Sequence, residues 1–189
     1  MLFRSNTVWA FATASVAADP LFKAVAAEVP GRIGEFKAQE MANTVWAFAK
    51  AGVAADPLFK AVAAEVPSRI SEFNAQGMAN TVWAFATARV AADPLFKAVA
   101  AEVSRRIVEF NSQDMANIVW AFATARVADD PLFKAVAAEV PRRIGELNAQ
   151  NMANTVWAFA TASVAALTRS SRRSLLKFRG ESTSSSRRR

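Results

Sequence analysis

Asparagine recurs at one phase along this chain: Asn43, Asn80, Asn117 and Asn154 lie 37 residues apart, each opening the string Asn-x-Val-Trp-Ala-Phe-Ala. A carboxamide carries an acceptor and two donors, the set needed to read a base edge or to satisfy a peptide group. Two further polar slots keep the same register. One varies as Glu40, Gly77, Asp114 and Asn151; the other holds Thr13, Lys50, Thr87, Thr124 and Thr161, and Arg89 and Arg126 follow two residues after it. Amides at such positions suit base edges, and the cations suit phosphates. On a helix, Gly77, Asn80, Ala84 and Thr87 align at i, i+3, i+7 and i+10, a face on which differences between copies would supply a code. Each feature has a bland alternative: an Asn bonded to a neighbouring loop, polar drift on a solvated face, or an Arg that complements a helix C-terminus.

Other chemistry is closed off by composition. The chain has no Cys and no His, which excludes thiolate nucleophiles, imidazole bases, Ser-His-Asp triads and the usual zinc sites. The Asp and Glu residues read as helix caps and surface pairs. We therefore expect no catalytic residue, no metal and no cofactor. No apolar run reaches the length of a membrane span, so no membrane partner is expected.

The elements that must position these residues follow from the repeat. Trp9, Trp46, Trp83, Trp120 and Trp157 mark five copies of one helix, here called A, at a period typical of stacked supersecondary units. In the copy from Asn74, the N-cap residue is followed by helix formers, and Met78, Ala79, Val82, Trp83, Phe85, Ala86 and Val90 fall in one broad apolar arc. The tryptophans accordingly read as core anchors rather than as stacking platforms for bases. Helix B opens at Asp19-Pro20, Asp56-Pro57, Asp93-Pro94 and Asp130-Pro131, with the Asp as N-cap acceptor and proline in the first turn, where it is tolerated. Phe96, Val99, Ala100, Val103, Ile107 and Phe110 keep one helical face, and Glu102 with Arg106 reads as a surface pair. Pro30, Pro67 and Pro141 fall about ten residues into helix B and predict a kink or break; the third copy has Ser104 instead. The fold class is all-α, an α-solenoid of tandem 37-residue helix-pair repeats, about four and a half of them, over residues 1–166.

Residues 167–189 form an Arg/Ser-rich tail that reads as a disordered basic extension. It holds all of the net charge of +7, because residues 1–166 balance 15 basic against 15 acidic side chains. A fifth helix B, written in one choice of codons and read one base out of frame, reproduces Leu167 to Ser182, so the tail is expected to be a frameshifted repeat.

The core Gln-x-Met-Ala-Asn-x-x-Trp-Ala-Phe-Ala, as at Phe73–Ala88 and Phe110–Ala125, resembles octotricopeptide repeats and is similar to the helical region of FAST-kinase-like and RAP-domain proteins. That resemblance implies a binder of single-stranded RNA, organellar transcripts or rRNA, acting in processing, stability or translation in a mitochondrion or chloroplast, with other proteins as further partners. The Pro-Pro-Pro-Glu-Trp element and the RAP domain of such proteins are absent, so no nuclease-like activity carries over. A neutral helical array suits a protein-interaction scaffold as an alternative, and a truncated array without a ligand is the third reading.

Overall fold

The computed structural model describes residues 19–163. The first A helix, around Trp9, and the tail lie outside the described residues, as does the frameshift reading. The chain is all-α. B helices are α1 (Asp19–Glu28), α3 (Asp56–Glu65), α5 (Asp93–Arg105) and α7 (Asp130–Glu139). A helices are α2 (Ala38–Ala51), α4 (Ala75–Ala88), α6 (Ser112–Thr124) and α8 (149–163).

The A helices pack on one another along their lengths, α2 on α4 and α4 on α6, whereas the B helices α3 and α5 meet chiefly the 3-10 segment that ends the B helix before them and α7 packs mainly on α5. Small side chains permit the close A row. A Cβ placed on Gly77 would lie 3.8 Å from the Ala42 methyl of the preceding A helix, and Ala47, Ala84 and Ala121 are fully buried. The two rows are joined by edge-on phenylalanine pairs, each B helix to the next A helix: Phe22–Phe48, Phe59–Phe85 and Phe96–Phe122, all at 5.0 Å, and Phe133–Phe159 at 5.2 Å. Such pairs add about 0.5–1.5 kcal/mol each beyond the area they bury.

Helix ends account for much of the sequence pattern. Asn74, Asn111 and Asn148 accept from the N–H groups of Gly77, Asp114 and Asn151 at 2.7, 2.8 and 2.8 Å. In the second repeat Lys37 replaces Asn, and there Glu40 closes the end in reverse, accepting from the Lys37 N–H at 2.9 Å. The Asp-Pro signal marks the start of helix B, one residue off: Asp56 and Asp93 are the first helical residues, Ala55 and Ala92 precede them without a side-chain cap, and in α7 Asp129 supplies the cap by accepting from the Leu132 N–H at 3.0 Å. Asp at the first helical position still complements the helix dipole. A helices end in a left-handed residue, Gly52 (φ 67°), Arg89 (φ 57°) or Arg126 (φ 58°), after which Val53, Val90 and Val127 donate back to the carbonyls of Phe48, Phe85 and Phe122. This is a Schellman ending, and holding it with arginine instead of glycine costs ~1 kcal/mol.

The prolines act as expected. After Glu28, Glu65 and Glu139 the helix tightens to 3-10 at Val29–Glu35, Val66–Glu72 and Val140–Glu146, whereas with Ser104 the α-helix runs on to Arg105, and Ser104 Oγ donates to the Ala100 carbonyl at 2.8 Å. A bend follows in all four copies at Arg32, Arg69, Arg106 and Arg143, where φ is between −117° and −128°. These arginines are clasps. Arg106 is held by Glu102 and Glu109 and reaches back a whole repeat to donate to the Phe73 carbonyl at 3.0 Å; Arg143 does the same to Phe110 at 2.6 Å. The Glu102–Arg106 pair is thus no surface decoration: the two side chains are only 11% and 16% exposed and tie adjacent repeats together.

Candidate nucleic-acid interface

An A helix is flanked by A neighbours on two sides and by B helices on a third, so little of it is left to solvent. In α4 the uncovered strip consists of Gln76, Asn80, Trp83 and Thr87, which fall within a 60° sector of a helical wheel. The same strip is Gln39, Asn43, Trp46 and Lys50 on α2, Gln113, Asn117, Trp120 and Thr124 on α6, and Gln150, Asn154, Trp157 and Thr161 on α8. Side by side, the four strips make one surface across the A row.

Asn43, Asn80, Asn117 and Asn154 are half-buried on this surface, and among the described residues their amides have no hydrogen-bond partner in the chain. The alternative in which they bond a neighbouring loop is therefore not what the fold uses them for. Four desolvated but unspent carboxamides face outward in register, able to donate and accept.

The tryptophans run along one edge of the strip, where Trp46, Trp83 and Trp120 are partly buried and packed against the core, in keeping with their reading as core anchors. Trp46 and Trp83 have ring centroids 6.3 Å apart at 35°, and Trp83 and Trp120 are stacked at 6.4 Å and 28°. Trp46, Trp83 and Trp120 pack on the core with part of each side chain left uncovered, and Trp157, at the end, is 47% exposed. Trp83 lies at the edge of the apolar arc, and the arc that is actually buried extends round the other side, over positions that look polar.

Those positions include the variable slot. Gly77, Asp114 and Asn151 are buried, and Glu40 half-buried, because this slot is the third residue of each A helix and faces the preceding repeat. Its variation follows the cap: Glu where the preceding cap is Lys37, and Gly, Asp or Asn where an Asn cap needs only the backbone N–H. Gly77, Asp114 and Asn151 are thereby removed from the exposed face, and Glu40 is taken up by the cap of its own helix. Ala84 is likewise fully buried, and Thr44, Thr81 and Thr155, also covered, donate their hydroxyls to carbonyls four residues back. Burial without a counter-charge raises the Asp114 carboxyl above its usual range, with the Asn111 contact opposing weakly.

At the C-terminal end of the strip, Lys50, Arg89 and Arg126 are exposed. The hydroxyls of Thr87 and Thr124 are buried and make no hydrogen bond. Among the described residues no group of His, Cys, Asp or Glu is placed to hold a metal ion, and no helix is long and apolar enough to cross a membrane.

An array of helix pairs with one shared, polar and aromatic surface along its A helices makes this chain an α-solenoid. The chain belongs to the RNA-editing substrate-binding complex 6 protein family, whose profile matches residues 5–168, the whole of the repeat array. That family is one of RNA processing. Among curated proteins nothing matches.

Proposed function

We propose that this chain is a non-catalytic RNA-binding solenoid of mitochondrial RNA editing or processing, and that single-stranded RNA lies across its A row. The family's name specifies a substrate-binding complex for RNA editing, which supports an RNA ligand, protein partners and the mitochondrion, and gives no support to a chloroplast setting. The likeness of the repeat to octotricopeptide and FAST-kinase-like arrays points the same way. The observation that carries the reading is the row of four unpartnered amides in register beside the tryptophan ladder. Asn43, Asn80, Asn117 and Asn154 hydrogen-bond base edges, the indoles offer apolar contact, and Lys50, Arg89 and Arg126 meet phosphates.

The test is binding of labelled single-stranded RNA to the full chain and to N80A/N117A. Each lost base contact is worth about 1–3 kcal/mol, so the double variant is expected to bind at least tenfold more weakly at fixed salt. Equal binding by the two proteins would remove the A strip as the RNA surface and leave the basic tail as the source of affinity.

A protein-docking role has one observation of its own. On α8, Met152, Val156 and Trp157 are exposed, whereas their counterparts Met115 and Val119 are fully buried by the next repeat. This open face suits a protein subunit of the same complex and is compatible with RNA on the adjoining strip.

A further inference from the structure

A cavity of about 570 Å³ opens between the A–B loops of the third and fourth repeats. Arg89, Asp93, Thr124 and Arg126 line it together with small apolar loop residues, and behind them Phe85 and Phe96 are buried in the core. Drug- and nucleotide-sized ligands occupy cavities of roughly 300–1,000 Å³.

The two arginines are set apart from every other arginine in the described residues. Arg32, Arg69, Arg105, Arg106, Arg142 and Arg143 each pair with a glutamate; Arg89 and Arg126 pair with none. Both sit in the left-handed conformation that Gly52 adopts without strain in the second repeat, so the backbone gains nothing from arginine there. Asp93 is the carboxylate lining the same cavity, at the start of α5, and it makes no ion pair with either guanidinium. The Thr124 hydroxyl lines the cavity with its hydrogen-bonding capacity unused. Two unpaired guanidiniums and an unused hydroxyl around one cavity match the phosphate group of a nucleotide.

We propose that this cavity is a nucleotide-phosphate site in which Arg89 and Arg126 clamp the phosphate and Thr124 donates to it. Resting on the RNA reading above, the site anchors one backbone phosphate of the bound strand and fixes its register on the array. A free nucleoside monophosphate offers the same chemistry. The corresponding slots of the flanking repeats hold Gly52 and Ser163, so the site exists once, between these two repeats.

The experiment compares the full chain with R89G/R126G, R89K/R126K and N80A/N117A, using a fluorescein-labelled oligouridylate over a salt series and uridine 5′-monophosphate by calorimetry. Glycine relieves the left-handed strain, so R89G/R126G is expected to melt no lower than the parent. It should bind the oligomer about tenfold more weakly, and its salt slope should fall by about 0.7, the share of one phosphate contact on a single strand. The lysine variant should keep the slope, and N80A/N117A should lose affinity with the slope unchanged. An unchanged slope and affinity in R89G/R126G, with N80A/N117A weakened and no monophosphate binding, would overturn the site and leave the RNA reading standing. Loss of monophosphate binding in R89G/R126G, with oligomer binding indifferent to every variant, would keep the phosphate site, assign it to a free nucleotide and end the RNA reading of the A strip.

Discussion

Asp114 illustrates how a capping position constrains one residue. Its backbone N–H is used by the Asn111 cap, while its carboxylate is covered by the neighbouring repeat and left with a raised pKa. A carboxyl whose folded pKa lies above its unfolded value binds protons more tightly when folded, so its ionised form lowers stability at neutral pH and that penalty fades as pH falls through the folded pKa. D114N, which copies the residue found at 151, is therefore expected to raise the melting temperature at pH 7, with the gain shrinking toward pH 4. Melting curves across pH check this, and a gain that persists in acid would contradict it. The same position explains why this slot was misread in the sequence: variation at a polar site suggests a code, and only the pairing of Lys37 with Glu40, against Asn with Gly, Asp or Asn, identifies it as a cap. That covariation is present in the sequence. The burial of the slot is not, because a wheel of one helix cannot show that its neighbours cover it from two sides.

At the scale of elements, four near-copies of helix B provide an internal comparison. Proline at its twelfth position turns the α-helix into a 3-10 turn, yet the third copy, with Ser104, keeps the α-helix three residues longer and bends at the equivalent residue, Arg106. The bend goes with the arginine's pairing to the glutamate three residues on, made in all four copies, and in the last two the same guanidinium also donates to a carbonyl of the preceding repeat, with proline upstream or without it. S104P is accordingly expected to change stability by less than about 1 kcal/mol, against ~3 kcal/mol for proline in an ordinary helix interior, and to shorten α5 by about a turn. Chemical denaturation and far-ultraviolet circular dichroism measure the two effects. Both the break at proline and the positions of the helices were legible from Asp-Pro pairs, Asn caps and the apolar period. The clasp was not: Glu102 and Arg106 at i and i+4 look like any exposed pair, and the bond to Phe73 joins residues 33 apart.

The whole molecule repeats one packing step, and its architecture was readable because five tryptophans at a constant interval leave few alternatives to a solenoid. What they do in it was harder to see. Translation by one repeat places equivalent side chains beside each other, so a residue on the uncovered strip meets its own copies, and a large flat one builds a column. The Trp46–Trp83–Trp120 column, with centroids 6.3 and 6.4 Å apart, has an optical consequence. Indoles so close share excitation: the folded array should show coupled circular dichroism bands in the tryptophan region and strongly depolarised emission through energy migration along the column. W83F, which removes the middle ring, should restore emission anisotropy while leaving the helices intact. A strand that inserts a base beside the column would disturb the same coupling, so the protein carries its own unlabelled reporter of whatever lies on the A row.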